Sequence, residues 1–349
     1  MGIVKKGLIV LCLIFLCAVP VSAEDYTAPD EPSHVSPLLP EDRDSFGEGL
    51  VYVFKTALGY LQPSLIEAAG TSFSLIGAVM LISLVKSQEG KQKEVIQFVA
   101  VVGIACLLLQ PTKAMVHTAS ETITEISEYG KLLLPVMTAA LSAQGGMVTS
   151  AALYTATVVF DAALMALIRN ILVPMVYIYM ILSIVHGAVG DAMLKKLRDL
   201  MKQIMTWSLK IVLYVFTGYI SITGVVSGTT DQTSLKAVKM TISGMVPVVG
   251  SILSDASEAV LISAGLVKNA VGISGMLVII GIAIVPFLQI AMQYLLLKLT
   301  AAVCALFADK SVTELMEDFT GAMGFLLGMT GAVCMIFLIS MVCFLKGVG

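Results

Sequence analysis

Val271-Gly-Ile-Ser-Gly-Met-Leu-Val-Ile-Ile-Gly281-Ile-Ala-Ile-Val-Pro286-Phe-Leu-Gln289-Ile-Ala-Met-Gln293-Tyr-Leu-Leu-Leu297 runs without a single charged residue. A bilayer core about 30 Å thick takes about 20 apolar residues of helix, so this run predicts a membrane-crossing helix with length to spare. Gln289 and Gln293 are four apart on one helical face, where they serve helix packing or line a pore. Comparable runs occur at 65–85, 147–168, 171–189, 207–226 and 321–345, with a shorter one at 95–109. The whole chain agrees with them: of 349 residues 58% are hydrophobic and 13% charged, against about 25% charged in soluble domains. Mean hydropathy is +0.95. The predicted fold class is therefore all-α, a polytopic helical membrane protein.

The first residues carry a secretory signal: Lys5 and Lys6, an apolar core over 8–19, Pro20, then Val21-Ser22-Ala23. That pattern predicts cleavage after Ala23, leaving 1–23 as signal peptide and 24–49 as a polar, extracytoplasmic segment. Residues 50–130 then hold the N-terminal spans and an amphipathic helix, and 131–349 the membrane core. Cys12 and Cys17 fall within the signal, while Cys106, Cys304, Cys334 and Cys343 lie inside apolar runs. No disulfide framework is implied. A net charge of −3 with no basic clustering excludes nucleic acid as an expected partner and leaves the lipid bilayer as the first one.

Three segments read as amphipathic helices rather than spans. Over 191–206, Met193, Leu194, Leu197, Leu200, Met201, Ile204 and Met205 form a stripe, with Lys195, Lys196, Arg198 and Lys202 off it. That spacing predicts a helix lying in the membrane surface or docking on a partner. Segments 113–130 and 310–320 repeat the pattern with acidic polar faces.

Lys and Arg counts in short loops set orientation. With 24–49 outside, 65–85 runs inward to Lys86, Lys91 and Lys93, and 95–109 returns outward to Glu121, Glu125 and Glu128. The basic residues 195–202 belong inside again, yet 147–168 and 171–189 supply two crossings where an odd number is needed. Something between Lys131 and Val189 is then re-entrant, or an extra short span exists there, or the rule fails once. The conflict falls on one of two stretches that echo each other. Pro135-Val136, Leu141-Ser142 and Ser150-Ala-Ala-Leu153 are matched by Pro247-Val248, Leu253-Ser254 and Ser263-Ala-Gly-Leu266. Both are too rich in Gly, Ser and Pro for plain spans, and broken helices repeated in two halves point to a site at the centre of a membrane protein. The halves are about 131–226 and 243–345. Pro135, Gly145, Gly146, Pro247 and Gly250 are the candidate hinge residues.

Catalytic signatures are missing: no His-Glu-x-x-His, no phosphate-binding Gly-x-x-x-x-Gly-Lys, no Gly-x-Ser-x-Gly. No catalytic, cofactor-binding or metal-ligating residue is expected. Ionisable residues in or near spans remain, because each is costly in lipid unless paired or wet. Asp161 lies deep in one span; Asp255 and Glu258 share a face of the second broken stretch. They form a polar path, or else Asp161 bonds a hydroxyl and the others lie at the interface. Gly224-x-x-x-Gly228 and Gly324-x-x-x-Gly328 allow close helix approach.

The motifs Lys131-Leu-Leu-Leu-Pro-Val-Met-Thr-Ala-Ala-Leu141 and Gly145-Gly-Met-Val-Thr-Ser-Ala-Ala-Leu153 resemble the stage III sporulation protein AE family. So do Val246-Pro-Val-Val-Gly-Ser-Ile-Leu-Ser-Asp-Ala256 and Leu266-Val-Lys-Asn-Ala-Val-Gly272. The resemblance implies a multi-pass protein of the mother-cell membrane facing the forespore. It further implies partners: the other stage III sporulation A proteins, among them a separate ATPase, and a forespore membrane protein. Together these resemble a secretion-type channel between the two cells, with this chain as a membrane core or export-gate-like subunit. The residues by themselves leave open a secondary transporter with its own substrate, or a non-conducting scaffold.

Overall fold

A computed structural model describes residues 29–41, 45–86, 93–143, 147–222 and 270–346. Among the described residues the regular structure is entirely helical. A short 3-10 turn (Ser36–Leu38) leads into α1 (Phe46–Gly59), α2 (Gln62–Lys86), α3 (Lys93–Ala143) and α4 (Met147–Leu167). One π-helical turn (Ile168–Leu172) joins α4 to α5 (Val173–Val189), followed by α6 (Ala192–Ile222), α7 (Ala270–Cys304) and α8 (Lys310–Lys346). The predicted cleavage site at Ala23 and the candidates Gly145, Gly146, Pro247, Gly250, Asp255 and Glu258 lie outside the described residues. So does most of the second echoing stretch, and with it the internal repeat.

Among the described residues, five segments are long and apolar enough to cross a membrane: Gln62–Val85, Glu94–Ala139, Thr157–Val189, Val271–Cys304 and Lys310–Val342. Their surroundings differ sharply. The apolar window of α8 is 94% buried and that of α2 only 17%, so α8 is the central helix and α2 a peripheral one. α8 packs along α3 and α7 and touches α5 and α6. Small residues bring the axes together: at Gly130 of α3 a Cβ would collide with the ring of Phe337 on α8, and at Gly275 of α7 with Leu133 on α3. α1 lays Phe46, Gly49, Val53 and Ala57 inward, with Gly49 against Leu277 of α7.

Three expectations change. The run at 95–109, the amphipathic segment 113–130 and the broken stretch from Lys131 are one helix, α3, of 51 residues with Pro111 and Pro135 inside it. At about 1.5 Å per residue it is about 76 Å long, more than twice a bilayer core. Pro135 is therefore not a break. Proline removes one backbone bond, and the helix is held through it by Leu133, Leu134 and Met137, which are packed in the core on either side of Pro135. The Thr112 hydroxyl, bonded to the Leu108 carbonyl at 2.7 Å, shows side chains supporting the backbone beside Pro111.

The two spans separated at Arg169-Asn170 are also a single helical run from Met147 to Val189. Arg169 and Asn170 sit in the π turn, and Pro174 follows just after it, so the run carries its proline next to its one irregular turn. This leaves one candidate span, Thr157–Val189, in place of two, an odd number as the charge count asks. Finally, 191–206 is not a separate surface helix. It continues into the next apolar run as α6, beside α5 and α8. Segment 310–320 likewise continues into α8.

The surface of α3 changes character along its length. Val95, Phe98, Val99, Val102, Leu107 and Leu109 are exposed and apolar. From Gln110 to Glu128 the exposed residues are Gln110, Lys113, Ala114, His117, Glu121 and Glu128, with no large apolar side chain among them; beyond, Lys131, Leu132 and Pro135 are exposed.

Candidate functional site

α5 turns into α6 through Gly190, whose φ of 75° is the left-handed conformation that closes helices and suits glycine. Its N–H bonds the His186 carbonyl at 2.7 Å. The Asp191 carboxylate then accepts the Met193 N–H at 2.8 Å and caps α6. This tight elbow sets α6 so that Lys195, Arg198 and Lys202, at helical spacings of three and four, lie on the side toward α8, with Arg198 buried and Lys195 and Lys202 half-buried. Opposite them α8 presents Glu314 and Asp318, also four apart.

The result is a buried ionic cluster. Arg198 and Asp318 are each 6% exposed. The Arg198 Nη1 donates to Asp318 Oδ2 at 2.8 Å, and the Tyr179 hydroxyl of α5 donates to Oδ1 at 2.8 Å. Arg198 Nε and Nη2 both donate to Asp199 Oδ1, at 3.1 and 2.9 Å. Glu314 is shared: Oε1 meets Lys195 Nζ at 3.4 Å, while Oε2 meets His186 Nε2 at 3.4 Å and Arg198 Nη1 at 3.5 Å. Charges taken out of water are tolerated when their hydrogen bonds are complete, and both oxygens of Asp318 hold a donor. The cluster's chemistry is cohesion: it ties α5, α6 and α8 together at one level.

A second buried group joins α3 and α4. Asp161 is 2% exposed and accepts the Ser127 hydroxyl on Oδ2 at 3.0 Å. Its Oδ1 has no hydrogen-bond partner among the described residues. Asp161 thus has the hydroxyl partner that the sequence allows. Arg169, eight residues on, is exposed in the π turn, and Pro135 is exposed on α3; neither reaches Asp161.

Sequence reasoning did not single out Tyr179, Glu314 or Asp318, and it read Arg198 as lying on a solvated face. The apolar stripe of α6 is in fact split: Met193 is 76% and Leu197 41% exposed, with Leu200 and Ile204 exposed beside them, while Met205 is buried in the core and Met201 packs against it. A signal was present, since Arg198 and Asp318 lie at the ends of apolar runs where an unpaired charge is expensive. Which face of an amphipathic helix meets the bundle is a tertiary fact.

The family profile described as "Stage III sporulation protein AE (spore_III_AE)" matches residues 53–347. The chain belongs to this family. The sporulation AE family also supplies a similar curated protein, "Stage III sporulation protein AE" of Bacillus subtilis (strain 168). It is 25% identical over 274 residues, covering 78% of this chain and 69% of that one. No solved structure matches. All the described helices from α2 onward, and with them both buried polar groups, lie inside the span matched by the sporulation AE profile.

Proposed function

We propose that the chain is a membrane core subunit of a channel between mother cell and forespore, placed in the mother-cell membrane and assembled with other stage III sporulation A proteins, including a separate ATPase, and a forespore partner. The observation that carries this reading is membership of the sporulation AE family across nearly all the described helices, together with five helices fit to cross a bilayer. The apolar window of α8 is 94% buried inside the chain, so this helix holds the bundle together and contacts to other subunits fall to the outer helices. The filled axis makes the bundle a solid wall, so passage would run along its outer face or between copies.

The change on α3 at Gln110 supports a bilayer around 95–109, with Lys93 on the cytoplasmic side and the His117-to-Lys131 stretch standing outside. The helices then project beyond the membrane toward the forespore, and the one-passage rod of α4 and α5 returns the chain to the cytoplasmic side at Lys195 and Lys196.

A tagged chain expressed at its natural level in sporulating cells is expected to recover the other stage III sporulation A proteins from solubilised membranes. Recovery of none of them, with spore formation unaffected by deletion of the chain, would sink the proposal. The transporter reading draws on one feature, the half-bonded Asp161. It requires Asp161→Asn to abolish spore formation while leaving complex recovery intact.

A further inference from the structure

Between α2 and α3 lies a lateral cavity of about 330 Å³ lined by Glu67, Thr71, Ser74, Cys106, Leu107, Gln110, Pro111 and Ala114. Its size falls at the lower end of small-molecule sites, about 300–1,000 Å³. Polar walls are unexpected here, because α2 is the most peripheral of the apolar helices and its exposed residues include Ile66, Phe73, Met80 and Leu81.

The polar atoms are mostly acceptors. The Thr71 hydroxyl donates to the Glu67 carbonyl at 3.2 Å and the Ser74 hydroxyl to the Gly70 carbonyl at 2.9 Å. Each spends its one proton on the helix and leaves lone pairs. Pro111 has no N–H for the Leu107 carbonyl four residues earlier. The Glu67 carboxylate has no ion-pair partner among the described residues. Against these stand the Gln110 amide N–H groups and the weak Cys106 thiol. A matching ligand donates several hydrogen bonds and carries positive charge, which describes a primary ammonium with its three donors.

The position narrows the source. The cavity sits where the surface of α3 passes from Leu109 to Lys113, the level at which headgroups meet acyl chains in the bilayer placement proposed above, on which this inference rests. We propose that the cavity is a binding site for a primary ammonium group, delivered by the headgroup of an aminophospholipid in the outer leaflet. The ammonium binds Glu67, Thr71 and Ser74, and the Gln110 amide faces the adjoining phosphate.

Cys106 provides the reporter, since it is exposed while Cys304 and Cys334 are buried. The full chain is placed in nanodiscs of phosphatidylglycerol alone or of phosphatidylglycerol with phosphatidylethanolamine, and N-ethylmaleimide addition at Cys106 is followed by peptide mass spectrometry. Phosphatidylethanolamine is expected to slow alkylation about tenfold, the factor set by one well-made charged contact. Glu67→Gln is expected to remove that slowing, and Ser74→Ala to weaken it. Protection by soluble ethanolamine but not by the lipid would keep the ammonium site and overturn the lipid source. Equal rates in both lipids, with no effect of soluble amine on the wild-type chain, overturn the site. Labelling of Glu121→Cys in the same discs reads the bilayer placement separately. If Glu121→Cys resists aqueous maleimide, the placement fails whatever Cys106 does.

Discussion

Asp318 holds two donors from two different helices, and that makes it the most sensitive single side chain in the described bundle. Asp318→Ala leaves the Arg198 guanidinium buried without its main counter-charge, and the Tyr179 hydroxyl without its acceptor. Breaking a buried pair from one side costs about 3–5 kcal/mol, so thermal unfolding of the purified chain in detergent should occur at a clearly lower temperature. The paired change Arg198→Met with Asp318→Leu should restore most of that loss, because well-packed apolar replacements are often neutral. Recovery no better than in the single variant would show that the cluster is more than cohesion. Asp161 behaves differently. Asp161→Asn keeps an oxygen for the Ser127 hydroxyl and should leave the unfolding temperature nearly unchanged, whereas Asp161→Leu orphans that hydroxyl at about 1–3 kcal/mol. The presence of Asp161 as a buried carboxylate was legible in the sequence from its place in an apolar run. Its partner was not, since Ser127 lies on another helix and nothing local marks it among the chain's other hydroxyls.

At the scale of elements, the helices are longer than hydropathy divides them. Charges and prolines at Pro111, Lys131, Pro135 and Arg169 invite a reader to cut the chain, yet α3 continues past the first three and a π turn absorbs the last. In the bilayer placement proposed above, the consequence is one passage between α3 and α6. Cysteines placed at Lys131 and Lys196, one at a time, should react with a membrane-impermeant maleimide from opposite sides of the membrane. Lys131→Cys is labelled in intact cells and Lys196→Cys only after the membrane is opened. Labelling of both from the same side would restore the two-crossing count. The same element-level view explains α6. Its stripe of Met193, Leu197, Leu200 and Ile204 was plain in the sequence, but of the basic residues beside it Lys195 and Arg198 have partners on α8, and Arg198 is buried.

For the whole molecule, about 76 Å of α3 cannot fit within one bilayer, and in the placement proposed above the lipid ends near Gln110. Phe98→Cys should be shielded from charged thiol reagents, while Glu121→Cys, about 23 residues and 35 Å further along the helix, should react freely in the same membranes. Equal protection at both positions would move the bilayer boundary or tilt the bundle. What the amino-acid sequence by itself determined is the solvent the chain is built for, the all-helical class, the rough stations of the apolar runs and the family. All four follow from composition and short-range pattern, which survive without knowledge of neighbours. Only the tertiary structure decided that α8 is central, which runs fuse into single helices, and which face of α6 is inner. Those depend on pairings between residues more than a hundred positions apart, Arg198 with Asp318 and Tyr179 with Asp318 among them. The free energy of a buried charge is fixed by the partner it finds across the bundle, not by the residues beside it in the chain.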